Sequence, residues 1–316
     1  MLLLRLIVPD DRTSLVVDDL VDHVGVTNVV VVEGAGREPV GDLVTCDVTR
    51  EAASDVLLGL QRRGLYTDGA VSMSEVEASP SRNAQLTQAR VPGSPDDAIV
   101  WDEVLDRTTG QVRPSWSYFL FLTIAVTLAS VAVVTDSSVL VIGAMVVGPE
   151  FITVTAMSLG IVLRRSELAL RGLRLLVLGF VVAIAVAVLL ALLAKAAGWI
   201  TLEQVAADRP LTAFIWRPDH WSVVVAALAG MIGVLSQTAN RGPALVGVFI
   251  SVTTVPAAGD LAVSIAVGAT AQISGAALQL GLNLVGMTAS GIVTLLVARA
   301  LWTLGRRRRL QPENHR

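Results

Sequence analysis

The chain has 316 residues, 53% of them hydrophobic and 16% charged, with a formal net charge of −3 and a mean hydropathy of +0.66. That is too apolar for a soluble domain of this length and describes a membrane protein. The acids gather in the first third (Asp10, Asp11, Asp18, Asp19, Asp22, Glu33, Glu38, Asp42, Asp47), which argues against nucleic acid as a partner; the single cysteine, Cys46, excludes an internal disulfide and any Cys-based metal cluster.

The opening MLLLRLIVPDD is interrupted by Arg5 and stopped by Pro9, so it lacks the length and cleavage site of a signal peptide, and the N-terminal region is expected in the cytosol. LLLRLIVP reads as a buried strand. RTSLVVDDLVDHVG places Leu15, Val16, Leu20, Val21 and Val24 at helical spacing, with His23 on its surface. VTNVVVVEG and DLVTCDV read as strands flanking the turn chemistry of GREPVGDL, and Cys46 is expected as a small buried hydrophobe. TREAASDVLLGLQRRG supplies a second helix with an apolar stripe at Val56, Leu57 and Leu60 that Gly64 ends, and GAVSMSEVEAS a last strand. The order βαββαβ over residues 1–78 predicts an α+β, ferredoxin-like cytosolic domain. It serves either to bind a regulatory ligand or to direct assembly.

Residues 79–115 read as a Pro- and Ser-rich linker followed by a juxtamembrane amphipathic helix, with Ile99, Val100, Trp101, Val104 and Leu105 on one side, laid against the membrane or a neighbouring subunit. Hydropathy then predicts six spans, at about 116–134, 138–163, 172–197, 222–238, 244–268 and 276–303, in a transmembrane domain over 116–304, with a basic tail over 305–316. Arginine falls on one side: Arg164, Arg165, Arg171 and Arg174, then Arg241, then the tail. The chain is therefore expected in the cytoplasmic membrane with both termini in the cytosol. Ser130, Thr135 and Asp136 read as an outer turn. The connection WITLEQVAADRPLTAFIWRPDHW, with Trp199, Trp216 and Trp221, reads as an interfacial segment.

Within the second span sit Gly148, Pro149 and Glu150, and the fifth carries Pro256 and Asp260. Each half offers a short apolar span, a polar turn and a long Gly-rich span broken by proline. Three spans per unit force the two copies to face opposite ways, so the pattern predicts a 3+3 inverted repeat with interrupted helices, an organisation used by secondary transporters. Proline leaves backbone groups unpaired, and such breaks persist in a bilayer only against protein or water. A carboxylate at mid-span costs about 3 kcal/mol and should face the interior, pair or take a proton. The same space is expected to include Thr253, Thr254, Gln279 and Asn283, the last two being four residues apart on one helix face. Gly143, Gly148, Gly230 and Gly233 are expected at close helix approaches, and Arg299 is expected to snorkel to the inner face. Two acids and no buried arginine point to cations, protonated amines or neutral polar solutes.

No enzyme constellation is visible, and His23, His220 and His315 are scattered. The expected function is a small-solute or ion transporter or channel with a midplane site at two Pro-broken helices and no cofactor. The alternative is a membrane-embedded sensor or scaffold whose cytosolic domain binds a ligand or partner. A homo-oligomer suits either.

VVTDSSVLVIGAMVVGPEF (133–151), WDEVLDRTTGQVRPSWSYFLFL (101–122) and LQLGLNLVGM (278–287) resemble the bacterial and archaeal membrane family known as domain of unknown function 389, the uncharacterised hydrophobic protein family. The resemblance implies a membrane-embedded chain and supplies no reaction or substrate.

Overall fold

The computed structural model describes residues 1–76, 78–91, 99–207, 209–238 and 254–309, with side chains to residue 301. The chain divides into two compact units, Met1–Val104 and Leu105–Arg316.

In the first unit the expected element order is present. Strand β1 (Leu2–Val8) precedes helix α1 (Thr13–Val21), strands β2 (Val26–Arg37) and β3 (Val40–Val48), helices α2 (Arg50–Arg62) and α3 (Leu65–Asp68), and strand β4 (Ala70–Glu75). They build one antiparallel sheet in the order β2-β3-β1-β4. Strand β1 alternates as a half-covered strand should: Leu2, Leu4, Leu6 and Val8 are buried against Val16 and Leu20 of α1 and Ala53, Val56, Leu57 and Leu60 of α2. His23 lies past the end of α1, where its Nδ1 accepts the Gly25 N–H at 3.2 Å. Gly41 marks the tightest backbone approach, since a Cβ there would lie 2.2 Å from the Val8 carbonyl oxygen.

Cys46 is buried in this core, and burial pushes its thiol up to about 12, with the neighbouring Asp47 adding to the shift. The thiolate is the reactive form. Iodoacetamide at pH 8 should therefore leave the folded chain unlabelled over a period that labels the urea-unfolded chain completely; equal labelling would show Cys46 to be accessible.

Part of the predicted linker is ordered onto this unit. Helix α4 (Arg82–Arg90) is capped by Ser81, whose Oγ accepts the Ala84 N–H at 3.1 Å, and Gln88 donates to Glu51 Oε1 at 2.9 Å. Helix α5 (Trp101–Gln111) starts with Val100 inside the first unit's core, while Arg50 donates to Glu75 at 3.0 Å and Glu103 at 3.3 Å. Of the residues expected on the apolar side of α5, Val100, just before the helix, lies in the sheet domain's own core.

The second unit is helical. Its long apolar helices are α6 (Trp116–Val134), α9 (Ser166–Ala196), α11 (His220–Thr238) and α13 (Thr270–Arg309). Among the described residues four helices are long and apolar enough to cross a membrane, or five if the bent pair α7 (Ser138–Val147) and α8 (Phe151–Val162) forms one span. Helix α12 (Val255–Val267) is apolar but has only 13 residues. The beginning of the predicted fifth span, with Arg241, lies outside the described residues. The connection after α9 folds into α10 (Leu202–Ala206), whose Thr201 and Gln204 form a reciprocal capping box, and a 3-10 turn at Ala213–Ile215. At the entry to α11, Ser222 donates its backbone N–H and its hydroxyl to Asp219, which holds that carboxyl below its ordinary range.

Small residues set the helix spacing. A Cβ at Gly230 would lie 2.2 Å from the Met287 carbonyl oxygen, and one at Gly259 would lie 2.7 Å from the Ser130 backbone nitrogen. Gly230 thus has the expected role, but Gly143 does not: its nearest neighbour would be Leu128 at 3.8 Å.

Candidate functional site: two half-helices meeting at Glu150

The Gly148-Pro149-Glu150 step ends α7 and starts α8, and the two helices bend by 53° across it. Pro149 has no N–H to continue the ladder, and the chain restarts at once. The Glu150 carbonyl accepts the N–H groups of Thr153 at 3.1 Å and Val154 at 3.3 Å, and the Thr153 hydroxyl at 2.5 Å. Glu150 therefore occupies the N-cap position of α8.

Its side chain crosses to the other break. Glu150 is 0% exposed, and its Oε1 accepts the Thr254 hydroxyl at 2.8 Å. Thr254 is the N-cap residue of α12, and Pro256 sits in that helix's first turn, where a missing N–H has no intrahelical acceptor to lose. Two helix N-termini, each a positive end of a backbone dipole, thus converge on one carboxylate. The bond joins residues 104 apart in sequence.

From this point α8 and α12 diverge. Near the end of α8, Gly160 packs against Ala169 in the first turns of α9. Near the end of α12, the Ala266 carbonyl accepts Lys195 Nζ at 3.0 Å, from the last turn of α9. The 31 residues of α9 separate these points by roughly 40 Å at 1.5 Å per residue. Arg299 on α13 does for α8 what Lys195 does for α12: its Nη1 donates to the Val162 carbonyl at 3.2 Å. Each of these short helices ends against a cation supplied by a long helix, the charge its negative dipole end favours. Helix α8 packs chiefly on α9 and α13, and α12 on α6, α9 and α13.

Asp260 is elsewhere in chemical terms. It is 0% exposed, and its Oδ1 accepts Arg209 Nη1 at 2.8 Å; Arg209 is 4% exposed. This corrects the expectation of no buried arginine and the preference for cations drawn from it, because one of the two acids is already matched by a guanidinium. The connection holding Arg209 is therefore more than interfacial. It is also tied down by Asp136, which accepts the Thr212 hydroxyl at 2.8 Å and the Leu211 N–H at 3.4 Å. Ser130, read from sequence with that outer turn, is instead buried within α6, its hydroxyl shared by the Val126 carbonyl at 2.9 Å and the Gly259 carbonyl at 3.1 Å.

Of the remaining predicted residues, Gln279 and Asn283 are buried, and the Gln279 Nε2 donates to Asn283 Oδ1 at 3.3 Å along one face of α13. Thr253 lies outside the described residues. Among the described residues no group of three His, Cys, Asp or Glu side chains is placed to hold a metal ion. Sequence reading missed Arg209, Lys195 and Arg299 as partners of the half-helices.

The family model for a domain of unknown function (DUF389) matches residues 145–289. The matched segment starts at Met145, inside the motif ending in Gly-Pro-Glu, and includes both half-helices, Arg209 and the Gln279/Asn283 pair; the WDEVLDRTTG stretch precedes it. An uncharacterized protein of Methanocaldococcus jannaschii is 24% identical over 197 residues, which is 62% of this chain and 59% of that relative. The match thus spans under two thirds of the relative's length. No solved structure matches significantly.

Proposed function

We propose that this chain, whose residues 145–289 carry the DUF389 match, is a multi-pass protein of the cytoplasmic membrane that moves a small solute or ion past Glu150. In this reading six spans form two inverted halves, with both termini in the cytosol. The observation that carries it is the meeting of two half-helix N-termini at a fully buried carboxylate, the arrangement that secondary transporters build at the midplane. The reciprocal caps of α8 and α12, Arg299 and Lys195, support a pseudo-twofold relation between the halves. The arginines at positions 164, 165, 171 and 174 support the orientation. The sheet domain assembles or regulates the whole, and its exposed apolar edge, Val30, Val31 and Val32 on β2, supports pairing with a second copy.

Glu150 is the carboxyl group that the described residues place at the meeting point, and a carboxyl can carry a proton. Full chain reconstituted in vesicles with an entrapped pH dye, and potassium with valinomycin to balance charge, should dissipate an imposed pH step faster than empty vesicles. Glu150→Gln keeps an oxygen to accept from Thr254 and removes the titrating group, so its rate should fall to that of empty vesicles. Equal rates for parent and variant would end the proton-linked reading.

A further inference from the structure

Three adjoining pockets meet along α8 and the two long helices α9 and α13 that pack on it. The first, about 630 Å³, lies between α9 and α13, with Phe180 on one wall, Leu284 and Thr288 on the other, and Met157 of α8 beside them. It shares Met157 and Leu173 with a second of about 510 Å³ that reaches Arg164, and a third of about 570 Å³ joins Arg164 to Arg299. We infer that the three form one groove that holds an anionic phospholipid, with an acyl chain between α9 and α13 and the phosphate at Arg164 and Arg299. The site requires the chain to lie in a bilayer but does not involve Glu150, so it stands whether or not the protein conducts anything.

Apolar lining, length and charge together commit the groove to that occupant. The first pocket is walled by aliphatic and aromatic side chains, and the one hydroxyl among its described residues, on Thr288, is taken by the Leu284 carbonyl at 2.7 Å. Water finds no hydrogen-bond partner there, while open space beside packed helices forfeits dispersion contacts that a hydrocarbon chain restores. From Thr288 to Arg299, α13 rises roughly 16 Å at 1.5 Å per residue, about half of a bilayer's hydrocarbon thickness. A chain anchored at the arginines therefore ends near the midplane. The charge decides the headgroup. Arg164 and Arg299 are both exposed, and no carboxylate lines the second or third pocket among the described residues. Arg299 uses one donor on the Val162 carbonyl at the end of α8, which leaves the rest of its guanidinium to phosphate oxygens. Basic clefts between helix ends at a membrane surface are where anionic headgroups bind. A second copy laid in the groove brings no counter-charge, because α6, α9, α11 and α13 hold one acid among them, Glu167, and it is paired with Arg171.

The delipidated full chain in a non-ionic detergent can be mixed with equal amounts of dioleoylphosphatidylglycerol and dioleoylphosphatidylcholine and weighed by native mass spectrometry. It should retain the anionic lipid in preference by roughly twentyfold, the worth of two basic residues at a membrane surface. Arg164→Asn removes one charge at a position whose φ of 57° asparagine tolerates. It should cut the preference about fivefold and leave the choline lipid bound as before. Ala289→Phe, at an exposed position in the wall of the first pocket, occupies the space of the acyl chain and should lower the binding of both lipids. Equal retention of the two lipids by the parent, or a preference that survives Arg164→Asn intact, would overturn the proposal. So would an Ala289→Phe variant that binds lipid like the parent but changes the oligomeric mass, which would give the groove to a second copy.

Discussion

Arg209→Ala is expected to destabilise the helical unit by about 3–5 kcal/mol, the usual cost of leaving a buried charge without its partner. Asp260 is completely enclosed on α12, where its Oδ1 accepts from Arg209 at 2.8 Å; without the guanidinium it must either keep an uncompensated charge or take up a proton. Either outcome separates the α10–α11 connection from α12. Replacing both residues, Arg209→Met with Asp260→Leu, removes the charges together and should recover most of that loss, because well-packed apolar groups of similar volume replace buried pairs with little or no penalty. Retention of a monodisperse peak after heating in detergent measures all four members of the cycle, and the coupling energy follows from their differences. Single variants as stable as the parent would show that the pair is not buried in the folded protein.

That pair also marks where sequence reading stopped. The β-strand domain was legible because its signals are local: alternation in Leu2–Val8, turn residues between β2 and β3, and an apolar stripe in α2 are all set by neighbours in the chain. The break at Gly148-Pro149-Glu150 was legible for the same reason, since proline acts on its own turn. The partner of Asp260 is 51 residues away, in a connection whose tryptophans and prolines describe a headgroup-depth segment and hide the arginine that turns inward. A usable signal existed. A carboxylate deep in an apolar helix demands a partner, and the connection from Gly198 to Trp221 contains only two cations, Arg209 and Arg217. Val100 and Ser130 failed differently. Their surroundings are supplied by residues distant in sequence, the sheet core for the first and the Gly259 carbonyl for the second, and periodicity gives a side chain's face without saying what covers it.

Gly230→Val should be the most damaging single substitution in the contact between α11 and α13. Even the first added carbon would lie 2.2 Å from the Met287 carbonyl oxygen and 2.8 Å from its Cα. Those are backbone atoms, so no rotamer change relieves them, and the helices must separate. Lipid tails provide no hydrophobic force to push them back together, which leaves close packing as the main attraction and makes it vulnerable to a single methyl group. The expected cost is about 3 kcal/mol, the upper part of the range for overpacked cores. Gly281→Ala is the matched control on α13: a Cβ there meets nothing within 4 Å, and alanine should be neutral or gain about 0.5–1 kcal/mol from helix preference. Unfolding in increasing dodecyl sulfate separates the two, and equal midpoints would show that α11 and α13 do not approach as closely as the backbone indicates. The damage should extend to the meeting point of the half-helices. Val154, one turn beyond Glu150 on α8, shares a buried cluster with Ala226, Ala229 and Met287; prising Met287 away from Gly230 loosens the wall that holds α8 in place. Gly230→Val should therefore slow any Glu150-dependent proton flux even in the fraction of protein that stays folded, whereas Gly281→Ala should leave it unchanged.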